Sequence, residues 1–177
     1  QTFSKVIKMS PPYRTELNAR IKQTEVFPGG DIEKIVKTLN KMAKSPKNKD
    51  YLDQIYYALG NLYLSRQDTT NAIKNYILAA QKSTREGIEK AISQLTLGNI
   101  YFNQRKYTKA QPCYAEAIPL IDETYPDYAQ LVKRSEVLDE LAIHAQNVEL
   151  QDSLQQLAAL PEPERMKIIQ QKIDDLI

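Results

Sequence analysis

Three kinds of side chain in this sequence are equipped for chemistry. Asp122-Glu123 and Asp174-Asp175 are paired carboxylates, Cys113 is the one thiol and His144 the one imidazole. Shared acid–base work needs two carboxyls that converge, and adjacent residues on a helix do not face each other. Both pairs therefore read as solvated surface. Cys113 follows Pro112 near an expected helix start, a setting that lowers a thiol pKa. A cysteine nucleophile also needs a positioned base, and His144 is the single candidate. The simpler assignments are a buried apolar cysteine and an ordinary surface or packing histidine. One cysteine and one histidine leave no Cys-cluster or multi-His metal centre. Five glycines, none between Asn99 and Ile177, offer no phosphate-cradling loop. These residues predict no enzyme, no cofactor and no metal.

The elements around them belong to a chain of 177 residues, one domain of ordinary size. Hydrophobic residues make up 42% and charged residues 26%, enough to build a core. Twenty-four basic against 22 acidic residues give +2, which argues against a nucleic-acid binder. No apolar run approaches the roughly 18 residues of a membrane helix, so direct insertion by this segment is not expected. The sequence starts at Gln1 without a signal-like segment, and reads as a piece of a longer or processed product.

An internal repeat organises the middle of the chain. Tyr56-x-x-Leu59-Gly60-x-x-Tyr63 is followed by Ala72-x-x-x-Tyr76-x-x-Ala79; 38 residues on, Gln94-x-x-Leu97-Gly98-x-x-Tyr101 is followed by Ala110-x-x-x-Tyr114-x-x-Ala117. This resembles the tetratricopeptide repeat, with Tyr56 and Gln94 for its Trp, Tyr for its Phe, and Thr84 and Asp122 for its closing Pro. The four residues beyond the usual period of 34 amount to about one helical turn. Gly and Ala leave room where the paired helices cross, while Leu and Tyr fill the gaps. Ten of the eleven tyrosines fall between Tyr51 and Tyr128 and read as inter-helix packing with a wet hydroxyl.

The turn signals agree. Asp68, Thr69 or Thr70 can cap the second helix of the first clear repeat, and Thr108 that of the next. Pro112 then falls in a first turn, and Pro119 predicts a kink or an early end. Upstream, Pro12 to Phe27 and Ile32 to Ala43 read as a degenerate helix pair, turning at Pro28-Gly29-Gly30-Asp31 with Asp31 as cap. Residues 1–50 carry 11 basic and 5 acidic groups, read as a solvated face. Downstream, Tyr128 to Val148 reads as a long helix and Leu150 to Ala158 as a short one. A last helix begins at Leu160-Pro161-Glu162-Pro163-Glu164, with Met166, Ile169, Ile173 and Leu176 on one face. That stripe either folds back on the repeats or binds something. The expected fold is an all-α, right-handed α-α superhelix: a degenerate helix pair (1–50), two clear repeats (51–126) and a helical C-terminal cap (127–177).

A narrower resemblance covers Pro12 to Ile177. Tyr51-Leu-Asp-Gln-Ile-Tyr-Tyr-Ala-Leu-Gly60, Lys133-Arg-Ser-Glu-Val-Leu-Asp-Glu-Leu141, Val148-Glu-Leu-Gln-Asp-Ser-Leu-Gln-Gln-Leu157 and Leu160-Pro-Glu-Pro-Glu-Arg165 are similar to tetratricopeptide lipoproteins of Bacteroidetes linked to gliding motility and type IX secretion. The resemblance implies a non-enzymatic scaffold on the periplasmic side of the cell envelope, lipid-anchored through a cysteine upstream. The alternatives are a periplasmic adaptor for outer-membrane protein assembly, or the interaction module of a larger sensor or enzyme. The partners are proteins or peptides.

In such arrays the first helix of each pair lines a concave groove. Counted from the repeat glycine, the groove positions are Gln54, Tyr57, Asn61 and Leu64, then Ile92, Leu95, Asn99 and Phe102. The asparagines either bond a ligand backbone, donating and accepting at once, or tie one helix to the next. The next equivalent positions are Lys133 and Arg134, a possible carboxylate grip, although the two-Lys, two-Asn pattern of known clamps is not reproduced. The groove reads as apolar and aromatic, suited to a helix or extended peptide.

Overall fold

The computed structural model describes residues 2–9, 13–25, 32–84 and 87–175. These form nine α-helices and two short 3-10 turns, with no strand among the described residues. The helices are α1 (Thr2–Lys8), α2 (Tyr13–Glu25), α3 (Ile32–Ala43), α4 (Leu52–Ser65), α5 (Thr69–Lys82), α6 (Ile88–Asn103), α7 (Tyr107–Ala117), α8 (Tyr128–Ala159) and α9 (Glu162–Asp174). The Pro28–Asp31 turn, Pro12, Phe27 and Leu176 lie outside the described residues. The sequence pattern did not signal α1.

Helices α4 with α5 and α6 with α7 are antiparallel pairs, and α5 against α6 and α7 against α8 carry the stack forward. The inner helices α2, α4 and α6 also touch in succession. The result is an all-α superhelix. Its core runs along the axis in three linked clusters. Leu17 and Ile21 join Leu39, Ile55, Ala58 and Leu59; Ala72 and Tyr76 join Leu97 and Cys113; Ala91 and Leu95 join Ala110, Tyr114, Ala117 and Leu138.

The repeat glycines make room for a ring. A Cβ on Gly60 would lie 2.6 Å from Tyr76 Cε1, and one on Gly98 would lie 2.8 Å from Tyr114 Cε2. Each ring lies flush against the backbone of the opposite helix and is fully buried. These two hydroxyls are not wet: Tyr76 donates to Asn61 Oδ1 at 2.8 Å and Tyr114 to Asn99 Oδ1 at 2.5 Å.

The turns differ in detail from expectation. Asp68 caps α5, its carboxylate accepting from Asn71 N at 3.0 Å. Lys106, at the equivalent place before α7, offers no side-chain cap. Thr108 lies inside α7 and donates instead to Glu149 Oε1 at 3.0 Å. Because α7 begins at Tyr107, Pro112 sits in its interior rather than its first turn. At Pro119 the α-helix has already ended, and residues Ile118–Leu120 form a 3-10 turn. The connector after α3 holds a buried asparagine: Asn48 donates to Met42 O at 2.7 Å and accepts from the Tyr13 hydroxyl.

Downstream, the expected break near residue 149 does not exist. Residues Tyr128–Ala159 are one helix of 32 residues, since nothing between Val148 and Ala159 is Pro or Gly. The first half of α8 packs Leu131, Leu138 and its neighbours onto α7. Residues 146–156 are exposed throughout. The last helix does not fold back over the repeats: it packs against no element as α4–α7 do, and Met166 is 56% exposed.

Candidate functional site: the inner face of the superhelix

A cavity of about 300 Å³ opens where α2, α4 and α6 meet. Tyr57, Ile21 and Ile92 give it an apolar wall, and Gln54, Asn18 and Ser93 supply neutral polar groups. Asp53, Glu89 and Lys22 add charge. Among these groups, Asp53 accepts from Gln54 N at 2.8 Å and Ser83 Oγ at 3.3 Å, and Ser93 donates to Glu89 O at 3.0 Å. The Tyr57 ring leans on Tyr76 with centroids 5.5 Å apart, and its hydroxyl lies 3.4 Å from Thr96 Oγ1 on α6. The aromatic wall is thus fixed from both sides before any partner arrives.

The sequence placed Gln54, Tyr57 and Ile92 here, and the structure brings those three together. Leu95 is a correction: it is 4% exposed and packs with Ala91 and Leu138 in the core. Leu64 sits at the exposed end of α4. Asn18, Ile21, Lys22, Asp53, Glu89 and Ser93 were missed. Asp53 and Glu89 stand one turn before Tyr57 and Ser93 on the same helix faces, a spacing that helical periodicity alone makes available.

Asn61 and Asn99 have committed their carbonyls within the fold. Each accepts from the tyrosine of its own helix pair, and Asn99 Oδ1 also accepts from Arg134 Nη1 at 2.9 Å. Both amide N–H₂ groups make no hydrogen bond among the described residues, so both asparagines can donate, and Asn61 Oδ1, which accepts one bond, can also accept a second. Asn61 and Asn99 therefore tie helices together and retain a donor each.

Lys133 and Arg134 part company. Lys133 is exposed beside Tyr125, Tyr128 and Glu136. Arg134 turns inward, donates to the Tyr114 hydroxyl at 3.0 Å and stacks its guanidinium 5.1 Å from the Phe102 ring centroid. Phe102 is braced edge-on by Tyr107 at 5.7 Å. This cluster locks α8 to α6 and α7 through a cation–π contact and two charge-assisted hydrogen bonds.

The groups singled out for chemistry are inert or scattered. Cys113 is buried against Leu97, and its thiol donates to Lys109 O at 3.3 Å. Burial first, and then the Glu116 charge, push its pKa up to about 11, against any nucleophilic role. His144 is exposed on α8. Asp122 caps its own turn through Thr124, which lowers its pKa. Among the described residues, no three His, Cys, Asp or Glu side chains gather as a metal set. Among them, too, no helix is long and apolar enough to cross a membrane.

Paired helices with a ring-for-glycine crossing, stacked so that the first helices form an inner face, define a tetratricopeptide-repeat protein. A family model described as the SusR N-terminal TPR domain matches residues 3–119. The chain belongs to that family. No curated protein matches it.

Proposed function

We propose that this chain is a non-enzymatic protein-binding module whose inner face takes a peptide segment of a partner. The observation that carries the reading is the cavity between α2, α4 and α6, where an anchored tyrosine and Ile92 stand beside the amides of Asn18 and Gln54 and the carboxylate of Glu89. An apolar anchor ringed by polar groups is what a peptide side chain needs. The donors of Asn61 and Asn99 lie on the same two helices. Arg134 adds a guanidinium that makes no ion pair among the described residues and favours an acidic group at that end. Residues 1–50, 51–126 and 127–177 serve in this reading as an entry pair, a two-repeat binding body and a C-terminal extension.

Similarity to gliding-motility and type IX secretion lipoproteins supports a place on the periplasmic side of the cell envelope, as part of a lipid-anchored assembly in secretion or motility. A second reading, the interaction module of a larger sensor or enzyme, is favoured by the family's own description as an N-terminal domain. Photo-crosslinking tests the binding reading. A crosslinker at Tyr57 or Ile92 captures a discrete partner in envelope fractions, and one at exposed Lys74 on α5 does not. Equal labelling from both faces, or none from the inner face, overturns it.

A further inference from the structure

The distal half of α8 shows a second apolar stripe that the repeats do not use. Ile143, Leu150 and Leu154 are 61%, 56% and 54% exposed, and Leu157 lies on the same side. Together with Asn147 they follow the spacing 4, 3, 4, 3, the seam of a two-stranded coiled coil. This stripe is well round the helix from Leu131 and Leu138, which face α7. It begins after Glu140 and ends at Pro161, two heptads in all.

We propose that this seam joins two copies of the chain in a parallel, in-register dimer. Three observations favour an identical copy as occupant. The positions flanking the seam, His144, Gln146, Gln151 and Ser153, carry no fixed charge, so identical helices meet without repulsion and without a charge pattern that selects another partner. Asn147 is the one polar residue within the seam. In parallel register two Asn147 amides face each other, each donating to the other's carbonyl, and a different helix or a slipped register leaves the amide against apolar side chains. Finally, residues 146–156 are exposed, with the Thr108–Glu149 bond on one side, and a helical segment this short is marginal in water without a packed face. The contacts of α8 with α7 run through Leu138, Asp139 and Glu149 and leave the side chains of Ile143, Leu150 and Leu154 exposed.

Sedimentation equilibrium of the 177-residue chain from 1 to 500 µM, with cysteine crosslinking, tests this. The expected result is a rise in mass from 20.3 kDa toward twice that value within the range. Leu150→Asp with Leu154→Asp abolishes the rise and leaves the melting transition of the repeats unchanged, because neither side chain touches them. Asn147→Cys forms an intermolecular disulfide under oxidation, whereas Asp152→Cys, on the opposite side of α8, does not. A mass fixed at 20.3 kDa up to 500 µM overturns the dimer. So does a dimer that survives both aspartates, or Asp152→Cys crosslinking as readily as Asn147→Cys.

Discussion

The ring of Tyr76 occupies the space where a side chain on residue 60 would stand, 2.6 Å from the position of its Cβ. The same holds for Tyr114 and residue 98, so each repeat is closed by one aromatic plate pressed on bare backbone.

That relation makes Gly60→Leu destabilising by about 3 kcal/mol or more, since neither a fully buried ring nor a helix backbone yields cheaply. In a Tyr76→Ala background the sign reverses for Gly60→Ala. With the ring gone, alanine gains up to about 1 kcal/mol of helix propensity. Urea unfolding of the four variants gives the coupling directly; additive effects would show that the ring is not the obstacle.

The two repeats differ at one cap, and this sets up a stabilising change. Lys106 has backbone angles (φ −90°, ψ 69°) close to those of Asp68 (φ −81°, ψ 71°), which caps α5. Lys106→Asp should stabilise by about 0.5–2 kcal/mol, read as a higher melting temperature. The preceding residues, Gln67 and Arg105, both sit in the left-handed region at φ 63° and 59°. Replacing either with Gly should add about 1 kcal/mol. A lower melting temperature in all three variants would contradict the turn geometry.

Arg134 is expected to resist its conservative replacement. Lysine retains the charge but loses the planar fork that reaches Asn99 and Tyr114 while stacking on Phe102. Arg134→Lys and Arg134→Ala should both cost about 1–3 kcal/mol and speed proteolysis within α8. Full retention of stability in the lysine variant would mean that charge alone anchors the helix.

Cys113 gives the protein an alkaline limit. In the unfolded chain its thiol ionises near 9.0, and in the folded chain near 11. A raised folded pKa contributes stability in full below pH 9, and that contribution is lost as pH climbs from 9 through about 11, by at most about 3 kcal/mol. Cys113→Ala should show a shallower decline over this window than the parent chain. Identical slopes would place the thiol in contact with solvent. Thiol reagents at pH 8 should label the native protein slowly and the unfolded protein at once.

Much of the fold was legible because the Gly-to-Tyr spacing repeats, and steric fit at a helix crossing is a local matter. The groove was less so. Leu95 occupies the place in α6 that Tyr57 holds in α4, yet Tyr57 borders the cavity while Leu95 is sealed beneath Leu138 of α8. Which side of a helical face is covered depends on the next helix, and α6 does not encode that. The false break in α8 has a related cause. Its apolar stripe changes phase near residue 143, where the packing on α7 gives way to an exposed surface, and a phase change resembles a chain break when no Pro or Gly marks the boundary.

The continuity of α8 also has a mechanical meaning. A rod of 32 residues is about 48 Å long, and its first half is clamped at Leu138 and Arg134. From Leu138 to Ala159 is about 31 Å of arm, tied to α7 partway by the Thr108–Glu149 bond, and a tilt of roughly 10° at the clamp that releases this bond sweeps the tip through about 5 Å. The clamp rests on Asn99 and Phe102, residues of an inner helix. Pressure on that inner helix is thereby geared up into displacement at the far end, with the long helix as lever and the Arg134 cluster as fulcrum.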